Sequence, residues 1–201
     1  MTGKWLNMIT QTFGDFIEME DKMKYLKLGF SLTDLPFKQR WRTNGLSADF
    51  IAEYLQFFFK DTSANDKKNW QAPIPVQSKG AVKYIANELL ENAMKYADDQ
   101  SSYPTKVGFY LYNDKLVFNV VNSIKPTDVE KFQVFIKLLT DEEPCDLYFR
   151  RMVDNANCDK QSGLGLLSMI CDYAAEIGWK FEPLQTEPPM FTVSTMVCLN
   201  L

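Results

Sequence analysis

Apolar residues in the middle of the chain recur at intervals of three and four: Val82, Ile85, Ala86, Leu89, Leu90, Ala93, Met94 and Ala97. One apolar face on a 3.6-residue repeat predicts a helix over residues 80–97. The rhythm then changes to two. Residues 106–112 and 115–122 alternate apolar and polar positions on either side of Asn113-Asp114, which predicts a β-hairpin. Pro126 has the fixed φ of a first helical turn, so a helix to about residue 139 follows. Residues 141–162 are polar and read as an irregular loop. Residues 164–177 read as a helix closed by Gly178. Residues 179–183 and 190–199 read as two strands joined by a turn at Pro188-Pro189.

The first part of the chain carries a weaker pattern. Trp5, Met8, Ile9, Phe13, Phe16 and Ile17 are spaced as on a helix over residues 4–24, interrupted at Gly14. Residues 25–32 alternate partly and read as a strand. Residues 33–45, with Pro36 and Asn44-Gly45, read as a loop. Ser47 has the side chain of an N-cap for a helix through Phe50, Ile51, Tyr54, Leu55 and Phe58. Residues 61–78 are polar, contain Pro73 and Pro75, and resemble a linker. Helices alternate with strands, but the strands come in adjacent pairs. The expectation is therefore an α+β fold: a two-layer α/β sandwich with a mixed, mostly antiparallel sheet and helices on one face. Residues 1–77 form an N-terminal helical and strand extension packed on a core of residues 78–201, within one compact domain overall.

Composition narrows the chemistry. The chain has 201 residues, 46% hydrophobic, with a net charge of −4. That balance argues against a nucleic-acid partner, although Lys38, Arg40 and Arg42 lie close together. No apolar run reaches the length of a membrane span, and the first residues lack the pattern of a signal peptide. A cytoplasmic protein without membrane contact is expected. Four cysteines, Cys145, Cys158, Cys171 and Cys198, form no C-x-x-C pair and match no zinc spacing, so reduced thiols are expected. There is no histidine. Ser-His-Asp and Cys-His catalysis are excluded, and any general base is Asp, Glu, Lys, Tyr or Cys.

The helix over residues 80–97 carries the candidate chemistry. With Glu88 at zero on a helical wheel, Asn92 falls near ~40° and Lys95 within ~20°. The three form a polar stripe on the shoulder of the apolar face. A carboxylate and a carboxamide at i and i+4 suit one metal–phosphate centre. The Asn92 amide oxygen is a hard donor for Mg²⁺, Glu88 is placed to accept a proton from a water or hydroxyl, and Lys95 offsets phosphate charge. The alternative is a solvated amphipathic helix with a Glu91–Lys95 pair. A second segment, Ser162-Gly-Leu-Gly-Leu166, opens a helix after a long polar stretch. Gly163 and Gly165 permit close backbone approach, and Ser162, Leu164 and their neighbours offer N–H groups at a helix start, where anions bind. It lacks the Lys-Ser/Thr of a Walker A loop and the strand that precedes a Rossmann fingerprint.

The order of these motifs resembles the Bergerat ATP-binding fold of gyrase, Hsp90, MutL, histidine kinases and anti-sigma-factor serine kinases. Glu88-Leu-Leu-Glu-Asn92-Ala-Met-Lys95-Tyr-Ala97 is similar to the family's N box, and Ser162-Gly-Leu-Gly-Leu166 to its second glycine box. Residues 141–162 fill the place of its ATP lid. The resemblance covers residues 78–200 and implies bound ATP and Mg²⁺, with Asn92 as metal ligand and Glu88 as base. The Glu, the small size and the missing histidine point to partner-switching kinases of the anti-sigma or SiaB type, which phosphorylate Ser or Thr of a small partner of the STAS or SiaC kind. The first glycine box departs from the family pattern. The strand ends in Asn122-Ser-Ile-Lys125, so Asn122 stands where the family's adenine-reading Asp is expected, and both glycines are missing. A neutral amide accepts a hydrogen bond more weakly than a carboxylate. The alternative function is accordingly a catalytically degenerate module that sequesters a partner. A third reading is a homodimeric scaffold built on Trp41, Phe50, Tyr54 and Phe57-Phe58-Phe59.

Overall fold

The alternating segments around Asn113-Asp114 pair as expected and form the middle of a six-stranded sheet. The computed structural model describes residues 9–19, 24–30, 45–56, 76–156, 163–186 and 189–200. Its strands are β1 (Gln11–Gly14), β2 (Lys24–Phe30), β3 (Thr105–Leu111), β4 (Lys115–Ile124), β5 (Glu176–Thr186) and β6 (Pro189–Asn200). Its helices are α1 (45–56), α2 (Val76–Tyr96), α3 (Pro126–Asp141), α4 (Pro144–Ala156) and α5 (Gly165–Tyr173). The chain divides into two compact units. One, Asp34–Asn92, holds α1 and most of α2; the other, Met1–Thr33 with Ala93–Leu201, holds the sheet and the remaining helices.

The fold is α+β, with strand order β1-β5-β6-β4-β3-β2. Each described pairing is antiparallel, so the sheet has no parallel pair among the described residues where a mixed sheet was expected. Two consecutive hairpins, β3–β4 and β5–β6, supply its centre and need no crossover. Period-two alternation sorts its faces. Phe109, Phe118, Val197 and Ile177 lie across from one another in successive strands, as do Val120, Thr195 and Trp179. Phe118, Val197, Trp179 and Phe109 are almost fully buried, each stabilising the fold by ~1.5–3 kcal/mol. Helix α3 lies against this face, with Phe132 edge-on to Phe181 at 5.8 Å. Among the described residues, no helix is long and apolar enough to cross a membrane.

The opposite face is more polar and is covered by a short stretch of chain. Tyr110, Val117, Met196 and Cys198 form a small cluster there, packed by Phe16, Ile17, Met19 and Tyr112. This corrects the helix expected over residues 4–24. Residues 11–14 are an edge strand on β5, and the chain then rounds the edge at Gly14, which has φ +62°. Phe13 packs edge-on to Phe181 at 5.8 Å on the first face, whereas Phe16 and Ile17 reach the second. Phe13, Phe16 and Ile17 are each half-buried because the chain passes from one face to the other. Residues 1–8 and 20–23 lie outside the described residues.

The crossing depends on two glycines that face each other in register, Gly14 and Gly178. A Cβ on Gly178 would stand 2.2 Å from the Phe16 nitrogen, and one on Gly14 would stand 2.4 Å from the Ile177 carbonyl oxygen. Gly178 is therefore a packing position inside β5, not the helix terminator expected. Helix α5 ends earlier, at Tyr173, with Ala174 in the left-handed conformation and the Ala175 N–H bonded to Met169 O at 3.0 Å. Gly178→Ala is expected to destabilise the protein by ~1–3 kcal/mol, the scale of overpacking against backbone that cannot move aside. Urea denaturation checks this; an unchanged midpoint would show that residues 15–17 are not held against β5.

In the other unit, α1 and α2 run antiparallel. Lys79 pairs with Glu53 and Lys83 with Asp49, so one helix ascends as the other descends. These exposed pairs are each worth ~0.2–1 kcal/mol. Ala48, Ile51, Ala52 and Leu55 are buried, at the spacing of one helical stripe. Residue 45 is already helical, two residues before the expected cap at Ser47. Lys38, Arg40, Trp41, Arg42, Phe57, Phe58 and Phe59 lie outside the described residues.

The largest departure from the sequence expectation is α4. Residues 144–156 form a helix where an irregular lid was expected. Pro144 occupies its first turn, as Pro126 does in α3. Leu147 is its buried anchor, while Phe149, Met152 and Val153 are exposed.

Candidate functional site

Helix α2 places the residues of the predicted polar stripe along one edge. Ile85, Ala86, Leu89, Leu90 and Ala93 are buried, and Glu88 and Asn92 are half-buried beside them. They stand one turn apart, as i and i+4. Asn87 Nδ2 donates to Glu91 Oε1 at 2.7 Å, which holds the Glu91 carboxylate on the neighbouring flank. Burial pushes the Glu88 carboxyl above the usual carboxylate range, and the charge of Glu91 adds to the shift. A carboxyl raised in this way is a stronger proton acceptor once ionised. Lys95 is exposed, with Nζ 5.2 Å from the Tyr96 ring centroid.

The other predicted residues belong to the sheet-containing unit. Asn122 sits near the end of β4 and is 5% exposed. Its Nδ2 donates to Ser123 O at 2.8 Å. That bond fixes the amide orientation and leaves Oδ1 as the acceptor. Ser123 O also accepts from the Asp98 N–H at 3.3 Å, which ties the end of β4 to the turn after α2. Thr105, at the start of β3, is 2% exposed, and its hydroxyl has no hydrogen-bond partner among the described residues. An unpaired buried hydroxyl beside the Asn122 strand carried no signal in the sequence beyond its residue type.

Gly163, Leu164 and Gly165 come together at the start of α5; Ser162 lies outside the described residues. Gly163 has φ +84°, a conformation that glycine adopts without strain. Leu164 is the N-cap and provides no side-chain cap, and the first helical bond runs from the Ser168 N–H to Leu164 O at 2.8 Å. The earlier N–H groups are the kind that bind an anion. Arg151 of α4 approaches this glycine: a Cβ on Gly163 would meet Arg151 Nη1 at 2.6 Å. The guanidinium carbon also stands 4.7 Å from the Phe135 ring centroid, a cation–π contact that holds it in place. The sequence reading passed over Arg151 because it lay in a segment taken for a loop. Among the described residues, no cluster of three or more His, Cys, Asp or Glu side chains could hold a metal ion.

The antiparallel α+β architecture has a counterpart of known structure. One chain of the crystal structure of the SiaB–SiaC complex from Pseudomonas aeruginosa has a similar fold, with a TM-score of 0.55 and 11% sequence identity over 88% of this chain and 89% of that one. At that identity the likeness is one of fold. No protein-family model matches the chain. No curated protein sequence matches it either.

Proposed function

We propose that this protein is an ATP-binding regulator of the partner-switching type, which transfers phosphate to a Ser or Thr of a small partner protein. The observation that carries the reading is the α2 edge. Glu88 is half-buried with its carboxyl raised, one helical turn before Asn92. The fold likeness adds support, because that neighbour was crystallised as a complex of SiaB with SiaC. The Bergerat-like order of the motifs supports ATP as the phosphate donor.

In this reading Mg-ATP supplies the phosphoryl group and the charge neutralisation that its transfer needs. The donor set fits a hard cation: Mg²⁺ is commonly bound by one or two protein oxygens together with substrate phosphates. The amide oxygen of Asn92 is that ligand. Glu88 takes the proton of the attacking hydroxyl. Lys95 and the N–H groups at Gly163, Leu164 and Gly165 offset phosphate charge, and Asn122 Oδ1 accepts from the base. The test is to incubate γ-labelled ATP with the protein and a small partner protein isolated by its binding to it. Alkali-labile label on that partner is expected.

A second reading keeps the fold and the partner without catalysis. It is favoured by Asn122, a neutral amide that already donates to Ser123 O, at the position where a carboxylate would read adenine. A partner complex that forms equally well with Glu88→Ala, and no label transfer by the wild type, would establish it in place of the kinase.

A further inference from the structure

The unpaired hydroxyl at the start of β3 has a polar neighbour. Lys106 pairs with Val121 and Val107 with Val120. One step beyond the Lys106–Val121 pair, Thr105 stands opposite Asn122. Strand alternation puts both on the face that carries Val107 and Val120, and Asn122 in turn pairs with Val193 of β6. Thr105, Asn122 and these valines are all at most 5% exposed. Directly opposed residues have Cβ atoms ~4.5–5.5 Å apart. The Thr105 hydroxyl and the Asn122 amide are therefore close enough to meet one edge of a single flat ring, with apolar side chains beside it.

Their hydrogen-bonding capacities differ. Asn122 Nδ2 is committed to Ser123 O at 2.8 Å, and Ser123 O is itself held by the Asp98 N–H at 3.3 Å. The amide thus presents Oδ1, which only accepts. The Thr105 hydroxyl has no partner among the described residues. A buried polar group without a partner is costly, and native proteins keep few of them.

We propose that Thr105 is a specificity-determining residue for the base of a bound adenine nucleotide: its hydroxyl donates to ring N1 while Asn122 Oδ1 accepts from the 6-amino group. The inference rests on the nucleotide reading above and gives the base a second reader. Adenine places an acceptor and a donor side by side in that order. Guanine reverses it, with a carbonyl oxygen at position 6 and an N–H at position 1. That oxygen would face Asn122 Oδ1, and the bond to Ser123 O keeps the amide from turning to suit it. The free protein carries the unpaired hydroxyl, and the bound base relieves it.

The experiment titrates the Mg²⁺ complexes of ATP, GTP and 1-deaza-ATP, in which a C–H replaces N1, into full-length wild type, Thr105→Val and Thr105→Ser. The wild type is expected to bind ATP roughly 3–10-fold more tightly than 1-deaza-ATP, the worth of one neutral hydrogen bond, and to bind GTP more weakly than ATP. Thr105→Val keeps the shape without the hydroxyl and is expected to bind ATP and 1-deaza-ATP equally. Thr105→Ser keeps the hydroxyl and should keep the preference. A purely structural role for Thr105 would weaken both nucleotides together and leave their ratio unchanged. An undiminished preference for ATP over 1-deaza-ATP in Thr105→Val, or equal binding of GTP and ATP by the wild type, overturns the assignment while leaving the nucleotide reading in place. Equal affinity of the wild type for ATP and 1-deaza-ATP overturns it even if Thr105→Val fails to fold. A wild type that binds none of the three sinks the nucleotide reading and this inference with it.

Discussion

Glu88→Gln is expected to lower phosphate transfer to the partner by on the order of 10²–10⁴-fold, the usual contribution of a positioned general base, while Mg-ATP still binds. Glutamine keeps the shape and the hydrogen-bonding capacity of the side chain but cannot accept a proton. The same substitution has a second, opposite signature in stability. The folded carboxyl is raised by burial and by Glu91, so the folded state prefers the protonated form. Stability linked to this group is present below the unfolded pKa and is lost as pH rises through the folded one. Glu88→Gln should therefore be more stable than the wild type at pH 7, with the difference vanishing toward acid. In turn, wild-type transfer should fall as pH drops through the raised Glu88 pKa, because the base is then protonated. Single-turnover transfer and thermal melts across pH measure both. A variant that is slower but not stabilised at neutral pH would mean that Glu88 is not a desolvated carboxylate.

Trp179→Ala is expected to cost ~3–5 kcal/mol, the range for removing a large aromatic from a packed core. Trp179 is 1% exposed, in β5 at the centre of the sheet's apolar face. Its loss alone would use up much of a typical stability of ~5–15 kcal/mol. The indole N–H has no hydrogen-bond partner among the described residues, and an orphaned buried donor costs ~1–3 kcal/mol. Trp179→Phe removes that donor and keeps most of the ring, so the lost packing and the removed penalty should nearly offset. Chemical denaturation followed by circular dichroism separates the two variants. If phenylalanine proves as damaging as alanine, the indole N–H has a partner that the packing does not show.

These two residues also mark what was legible from sequence. Glu88 and its stripe were readable because α2 is long, and its buried face repeats without a break from Val82 to Ala93. The hairpin was readable because two segments rich in β-branched and aromatic residues flank the two-residue turn Asn113-Asp114. The two hairpins and α3 then led to the α+β class. The N-terminal segment misled because helical spacing has two causes. Phe13 and Phe16 look like helix neighbours, yet Gly14 turns the chain between them and sends each to a different face of the sheet. Helix α4 was hidden for the opposite reason. Its apolar residues Phe149, Met152 and Val153 are exposed and its buried anchor is little more than Leu147, so the pattern lacked an apolar stripe facing a core. Missing α4 meant missing Arg151 at Gly163. That approach is a product of tertiary packing between segments that no local spacing rule links.

The proposed function stands on nucleotide binding at the α2 edge that carries Glu88 and Asn92. The most direct measurement is calorimetric titration of Mg-ATP into the full-length wild type and into Asn92→Ala. The wild type should bind saturably and only with Mg²⁺ present. Asn92→Ala should bind ~10–100-fold more weakly, the equivalent of one lost charge-assisted contact of ~1.5–3 kcal/mol, with an unchanged melting profile in the absence of nucleotide. Binding by Asn92→Ala as tight as that of the wild type, or no binding by either protein, would contradict the account.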